Sequence, residues 1–344
     1  MVTIPSRFAD SINTALHEAC RLDKKVFVIG EDIHDPSGGT FRITKGLSTK
    51  YPAQVIPTPI CESSIVGLGI GMAIRGMLPV VEIMFGDFLT LCADQIINHA
   101  AKYPWVFNGQ ISLPLVIRSP MGGRRGYGPT HSQTLEAIFL NIPHIKIIAP
   151  SHFHNPGQLL TNVIRSEGVV TIFVENKLLY PVNLLESGRH PTYHSRVISE
   201  SATSYPTVIV DIPGDQDPDA VMVCYGGMAP IGFAAQQQLF TEDELRLRLV
   251  IPSQIKPLPM TNIILSIDSC RRILIAEEGY GTNGWGAELS AQLYERLLQD
   301  LSHPIRRIAS LDYPIPTAKP LEEEVLPSKN DIIHGVIDLI EKGF

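Results

Sequence analysis

Apolar residues along this chain recur in two alternating rhythms. Between Ser11 and Arg21 they fall at Ile12, Ala15, Leu16 and Ala19, the spacing of one helix face, and Val26-Phe27-Val28-Ile29 then run unbroken up to Gly30. Runs without a polar interruption are what parallel strands covered on both faces look like. Similar runs recur at Val80-Val81, Leu113 to Arg118, Ile145 to Pro150 and Val170 to Val174, with helical stretches between them at Leu91 to Ala101 and Pro156 to Arg165. The alternation predicts an α/β fold built on a doubly wound parallel sheet.

From Glu186 to Asp219 the texture turns polar and is broken by Pro191, Pro206, Pro213 and Pro218. It reads as a strap between domains. A second α/β pattern follows: the strand Val221 to Tyr225 with a turn at Gly226-Gly227, the strand Arg272 to Ala276, and a closing helix from Asp331 to Lys342. The expected organisation is residues 1–187 as the first domain, 188–219 as the strap and 220–344 as a smaller second domain.

Composition fits two ordinary domains, with 344 residues of which 44% are hydrophobic. A net charge of -7, with basic residues only in pairs such as Lys24-Lys25, Arg124-Arg125 and Arg271-Arg272, argues against a nucleic-acid partner. The five cysteines are odd in number and form no CxxC pair, so neither a disulfide framework nor a zinc site is expected. Met1 to Phe8 lacks a charged-then-apolar leader pattern, and the expected location is cytoplasmic. Arg75 interrupts the longest apolar candidate, so no membrane association is expected.

Two segments carry candidate chemistry. Glu62 stands directly before a run of small and apolar residues that reaches Met77 with only Arg75 charged. A carboxylate at the head of a buried helix needs a partner, although the helix dipole alone also favours an acid there. The second segment, Tyr127-Gly128-Pro129-Thr130-His131-Ser132-Gln133, places an imidazole in a loop between two predicted strands, where open α/β sheets build their sites. His131 reads equally as the cap of a helix beginning near Ser132.

With Gly30-Glu31-Asp32 and the run Gly38 to Leu47, these segments resemble the beta subunit of the thiamine-diphosphate-dependent first component of 2-oxo acid dehydrogenase complexes. Further matches are Pro79 to Met84 with Phe88, Ala93 to Asn98, Glu277-Glu278-Gly279 and Gly284 to Glu288. The resemblance implies a pyrimidine-binding domain of the thiamine-diphosphate fold followed by a transketolase-C-terminal-like domain. It gives Glu62 the role of the carboxylate on the aminopyrimidine N1', and it places Ile60, Met84 and Phe88 along that ring. It gives His131 a place facing the reactive carbon, orienting substrate and the lipoyl acceptor. Taken by themselves, Met84 and Phe88 read as ordinary core.

Thiamine-diphosphate enzymes hold Mg2+ and the diphosphate through Gly-Asp-Gly followed by Asn, a motif this sequence does not contain. The resemblance therefore implies half a site, completed by an alpha subunit that holds the Mg2+, in an alpha2-beta2 heterotetramer serving a lipoyl-bearing acyltransferase core. The substrate is a small 2-oxo acid or acetoin. Two other readings stand beside it, the C-terminal half of a split transketolase and a non-catalytic scaffold. Two departures are Thr130, where the family commonly has His or Gln, and the basic loop Met121 to Tyr127. Arg124-Arg125 reads either as tuning substrate choice or as a mobile surface loop. Leu247 to Pro252 stands where relatives often carry Asp-Leu-Arg-Thr.

Overall fold

The computed structural model describes residues 7–165, 168–185, 187–199, 205–267, 270–299, 301 and 303–341. Two compact units divide them. One comprises the chain up to Met121 with Ile138–Ile148 and Asn155–Leu184; the other comprises Gly122–Ala137, Ala149–His154 and the chain from Leu185 onward.

The first unit contains six parallel strands: β1 Val26–Gly30, β2 Val55–Pro57, β3 Leu78–Glu82, β4 Val116–Met121, β5 Ile145–Ile148 and β6 Val170–Asn176. Their order in the sheet is β5-β6-β4-β3-β1-β2. β4 and β6 are buried along their whole length, including Arg118 and Ser119 of β4 and Glu175 of β6. Gly30 ends β1 directly beside Pro57 of β2 and Glu82 of β3, so three strand ends meet there.

The helix Glu62–Ile74 packs on this sheet through Ile65, Val66, Gly69, Ile70 and Ala73. Gly69 is needed for that approach, because a Cβ there would lie 2.9 Å from Leu115 and from Val81. The helix stops at Ile74 rather than Met77, and Gly76 follows in the left-handed conformation that closes many helices. It is also not buried all round, since Ser64, Gly67, Leu68, Gly71 and Ile74 form an exposed face. The helix expected over Leu91 to Ala101 is replaced by a 3-10 turn at Gly86–Cys92 and a wide π-helical turn at Gln95–Ala100. Ala101 N–H reaches back five residues to the Ile96 carbonyl at 2.9 Å, which turns Ile96 and Ala100 inward.

In the second unit the strands are β7 Gly188–His190, β8 Tyr193–Ile198, β9 Thr207–Asp211, β10 Ala220–Cys224, β11 Leu247–Pro252, the short β12 Gln254–Lys256, β13 Ile273–Tyr280 and β14 Arg306–Ser310. β14-β13-β10-β11 run parallel, and β9, β8 and β7 continue the sheet antiparallel. The segment expected as a strap thus supplies three strands. Its prolines lie outside them: Pro191 in the β7–β8 turn, Pro206 just before β9, and Pro213 and Pro218 between β9 and β10. The last helix spans Lys329–Glu341, and Lys342, its expected end, lies outside the described residues. Among the described residues no helix is long and apolar enough to cross a membrane.

Candidate functional site

The first cluster sits where β1, β2 and β3 end. Glu62 opens its helix and is only 6% exposed. Nearby, the Thr58 N–H donates to the Gly30 carbonyl at 3.0 Å, which brings Thr58 beside Glu31. The Thr58 hydroxyl and Glu31 Oε1 are buried without a partner. Burial, and then the negative charges of Glu62, Asp32 and Glu82, push the Glu31 carboxyl up to about 7. Buried polar oxygens left unsatisfied in this way are costly unless a partner bonds to them.

The sequence-predicted neighbours lie at the same strand ends. Met84 follows β3 by two residues and is half-buried, and half-buried Phe88 lies in the turn after it, its ring 5.9 Å from that of Phe85 in an edge contact. Ile60 is 79% exposed. The loop from Glu31 to Gly46 is anchored by Asp35, which accepts from Gly46 N–H at 2.7 Å, from the Ser48 hydroxyl at 2.8 Å and from the Thr49 hydroxyl at 2.6 Å. The Thr49, Gly46 and Ser48 donors hold that carboxyl far below its ordinary value.

His131 belongs to the second unit, on the stretch Gly122–Ala137. No α-helix starts at Ser132; a 3-10 turn at Glu136–Phe139 follows instead. His131 therefore does not cap a helix. Its N–H donates to the Gly128 carbonyl at 3.3 Å, and its Nδ1 lies 2.9 Å from the Thr130 hydroxyl, which sets the ring's rotation.

Residues 6–183 match the family described as transketolase, pyrimidine binding domain, and residues 211–332 match transketolase, C-terminal domain. The chain is 36% identical over 337 residues to "Pyruvate dehydrogenase E1 component subunit beta" of Porphyra purpurea, covering 97% of this chain and 96% of that protein. It is 34% identical to the mitochondrial beta-1 subunit of Arabidopsis thaliana over 95% of this chain and 87% of that protein. The chain belongs to this beta-subunit family. The Leifsonia xyli member is 32% identical over 95% of this chain and 92% of its own. A solved structure titled "Split gene transketolase, inactive beta4 tetramer" shares the fold at a TM-score of 0.69 with 18% identity, covering 98% and 99% of the two chains.

Several residues around the family's loop carry no role in the sequence reading. Glu136 is buried and accepts a short hydrogen bond from the Tyr225 hydroxyl. Burial pushes Glu136 up to about 7 against the pull of that hydroxyl, and burial likewise raises Glu277 to about 7. Glu278 accepts from Gly123 N–H at 2.7 Å, and Glu322 from Arg124 N–H at 2.7 Å. An acidic pair in sequence, Glu277-Glu278 at the end of an apolar strand, is the one signal that pointed toward them. Among the described residues no group of three His, Cys, Asp or Glu side chains is placed to hold a metal ion.

Proposed function

We propose that this chain supplies the aminopyrimidine side of a thiamine diphosphate site for oxidative decarboxylation of a 2-oxo acid, with acyl transfer to lipoyl groups. The observation that carries the reading is the largely buried Glu62 carboxylate, close enough for its charge to act on Glu31, together with the orphaned Glu31 and Thr58 oxygens. When bound, thiamine diphosphate supplies a carbon nucleophile generated with the help of its own amino group. Glu62 accepts a hydrogen bond at N1' and holds the proton there, in surroundings that exclude water and so strengthen the bond. Ile60, Met84 and Phe88 line the ring; an apolar Ile60 side chain left in water by this chain alone is suited to being covered by a ring or a partner. His131 faces the reacting carbon and positions the substrate and the lipoyl sulfur, with Thr130 holding its orientation.

An alpha subunit completes the site and holds the Mg2+ and diphosphate, in an alpha2-beta2 assembly. The exposed face of Ser64, Gly67, Leu68, Gly71 and Ile74 supports such packing, because a Cβ at Gly67 or Gly71 would meet nothing in this chain. The relatives' names make pyruvate the first substrate to test, with a lipoyl-bearing acyltransferase as the acceptor. The cytoplasm is the proposed location, supported by five cysteines that all remain free thiols; the plant relatives are named as mitochondrial.

The test is to purify the chain with its alpha subunit and follow reduction of an artificial electron acceptor with pyruvate and with branched-chain 2-oxo acids. Turnover that requires thiamine diphosphate supports the reading. Ketol transfer between sugar phosphates without 2-oxo acid decarboxylation would replace it with the split-transketolase alternative, and no activity in either assay would leave the scaffold.

A further inference from the structure

The stretch from Gly122 to Gly128 has an uncommon backbone. Positive φ values occur at every second residue: 97° at Gly122, 70° at Arg124, 66° at Gly126 and 76° at Gly128. Alternation of this kind turns successive N–H groups toward one side and makes a concave nest for an anion. The nest is filled by the chain's own carboxylates. Glu322 accepts from Arg124 N–H at 2.7 Å with one oxygen and from Gly126 N–H at 3.2 Å with the other, while Glu278 takes Gly123 N–H at 2.7 Å. Both acids are buried, Glu322 to 2% exposure, and both belong to the same unit as the loop. The Arg124 guanidinium closes the arrangement on the Pro327 carbonyl at 2.6 Å.

The packing is as close as the hydrogen bonding. A Cβ at Gly123 would lie 2.5 Å from Leu326, and one at Gly128 would lie 2.6 Å from the Thr317 hydroxyl. Leu326 in turn donates its N–H to the Glu322 carbonyl at 3.1 Å. Further along, the Tyr225 hydroxyl fastens Glu136. The whole stretch that carries His131 is thus tied down at both ends.

We propose that Glu322 is a positioning residue: with Glu278 it holds the Gly122–Gly128 nest in one conformation and thereby sets where His131 stands. The proposal rests on the functional reading of His131 given above. A left-handed non-glycine residue at Arg124 is unfavourable by itself, so the loop keeps this shape only while the carboxylate binds its N–H groups. Without the anion the loop relaxes and His131 moves with it. Arg124 is then a structural tie rather than a substrate contact, and Arg125 is the exposed member of the pair.

The experiment uses the chain assembled with its alpha subunit, as wild type and as Glu322→Ala, Glu322→Gln and the exposed control Glu323→Gln. Two quantities are read: the rate of tryptic cleavage after Arg124 or Arg125, and the acyl-transfer kinetics with the 2-oxo acid that the wild type turns over fastest. Trypsin needs an extended loop, so Glu322→Ala should be cut there about tenfold faster. Its kcat for transfer to a lipoyl domain should fall about tenfold while KM for the 2-oxo acid moves less than twofold. Glu322→Gln keeps acceptor oxygen without charge and should fall between, which also covers a failure of the alanine variant to fold; the control should match wild type. Unchanged cleavage in Glu322→Gln and Glu322→Ala overturns the proposal. Faster cleavage with wild-type kinetics sustains the tie and instead overturns the role of His131.

Discussion

Arg118 meets both oxygens of Glu175, Nε at 2.7 Å and Nη2 at 2.9 Å, and its remaining nitrogen holds Glu82 at 2.8 Å. All three are buried, and the Tyr180 hydroxyl completes Glu175 at 2.8 Å. The fork ties β4 to β6 and fixes the end of β3 just before Met84 and Phe88. Arg118→Met should therefore be costly, because two carboxylates would remain in the interior without their counterion. The expected loss is about 3–5 kcal/mol in urea unfolding. A loss below about 1 kcal/mol would show that water or rearrangement compensates the pair.

Stability should pass through a maximum in mildly acidic solution. Burial raises Glu136 and Glu277 from 4.5 to about 7, so the folded chain keeps protons that the unfolded chain has released. That contribution is whole below the unfolded value and is lost as pH rises through about 7. Burial lowers His152 and His154 from 6.5 to about 4, and their contribution is whole above 6.5 and lost as pH falls toward 4. The two windows overlap and offset each other, so calorimetric melting of the chain should form a broad maximum across them and fall away below about pH 4 and above about pH 7. Glu136→Gln should flatten the alkaline side and leave the acid side unchanged, while an unaltered alkaline side would refute the assignment to Glu136.

The first sheet was legible because its strands carry short apolar runs, a signal that needs only neighbouring residues. The burial of Glu62 was legible for a similarly local reason, the small and apolar run that follows it. The strands β7 to β9 were not, since short strands separated by prolines look like a connector until their partners are known. Local pattern suggests a helix after His131, but the preceding loop is shaped by positive φ angles at Gly122, Arg124, Gly126 and Gly128 and only a 3-10 turn follows. Nor could its supports be seen: Arg124 and Glu322 lie 198 residues apart, and a hydrogen bond across that distance leaves no trace in local pattern.

Glu62→Gln should keep the fold, because the amide nearly matches the carboxylate in size and shape at this largely buried position. The amide offers no anionic acceptor for the pyrimidine nitrogen. Turnover of the assembled enzyme should fall about 10²–10⁴-fold, the usual size of an acid–base contribution. A variant within a few-fold of wild type would remove Glu62 from the mechanism.

The chain on its own should bind thiamine diphosphate and Mg2+ only weakly. Hard cations of this kind are held by convergent oxygen ligands, and among the described residues no cluster of three candidate ligands exists. Isothermal calorimetry should detect little heat with the isolated chain and a clear binding isotherm once the alpha subunit is present. Micromolar binding by the chain alone would mean that a second copy completes the site.

His131→Asn separates chemistry from support at the loop. The structure has already removed helix capping as the role, since only a 3-10 turn follows at Glu136–Phe139. An asparagine can still bond to the Thr130 hydroxyl and keep the backbone N–H on Gly128, so the change in stability should stay below about 1 kcal/mol. The variant, assembled with its alpha subunit, should melt near the wild-type temperature and bind thiamine diphosphate normally. Most of its overall complex activity should nevertheless be gone. Acyl transfer to a lipoyl domain should suffer more than decarboxylation followed with an artificial electron acceptor, because the imidazole is assigned to the transfer step. Equal losses in the two assays would move His131 to substrate positioning. Wild-type rates in both would make the imidazole a structural residue and return the chemistry of this loop to its backbone.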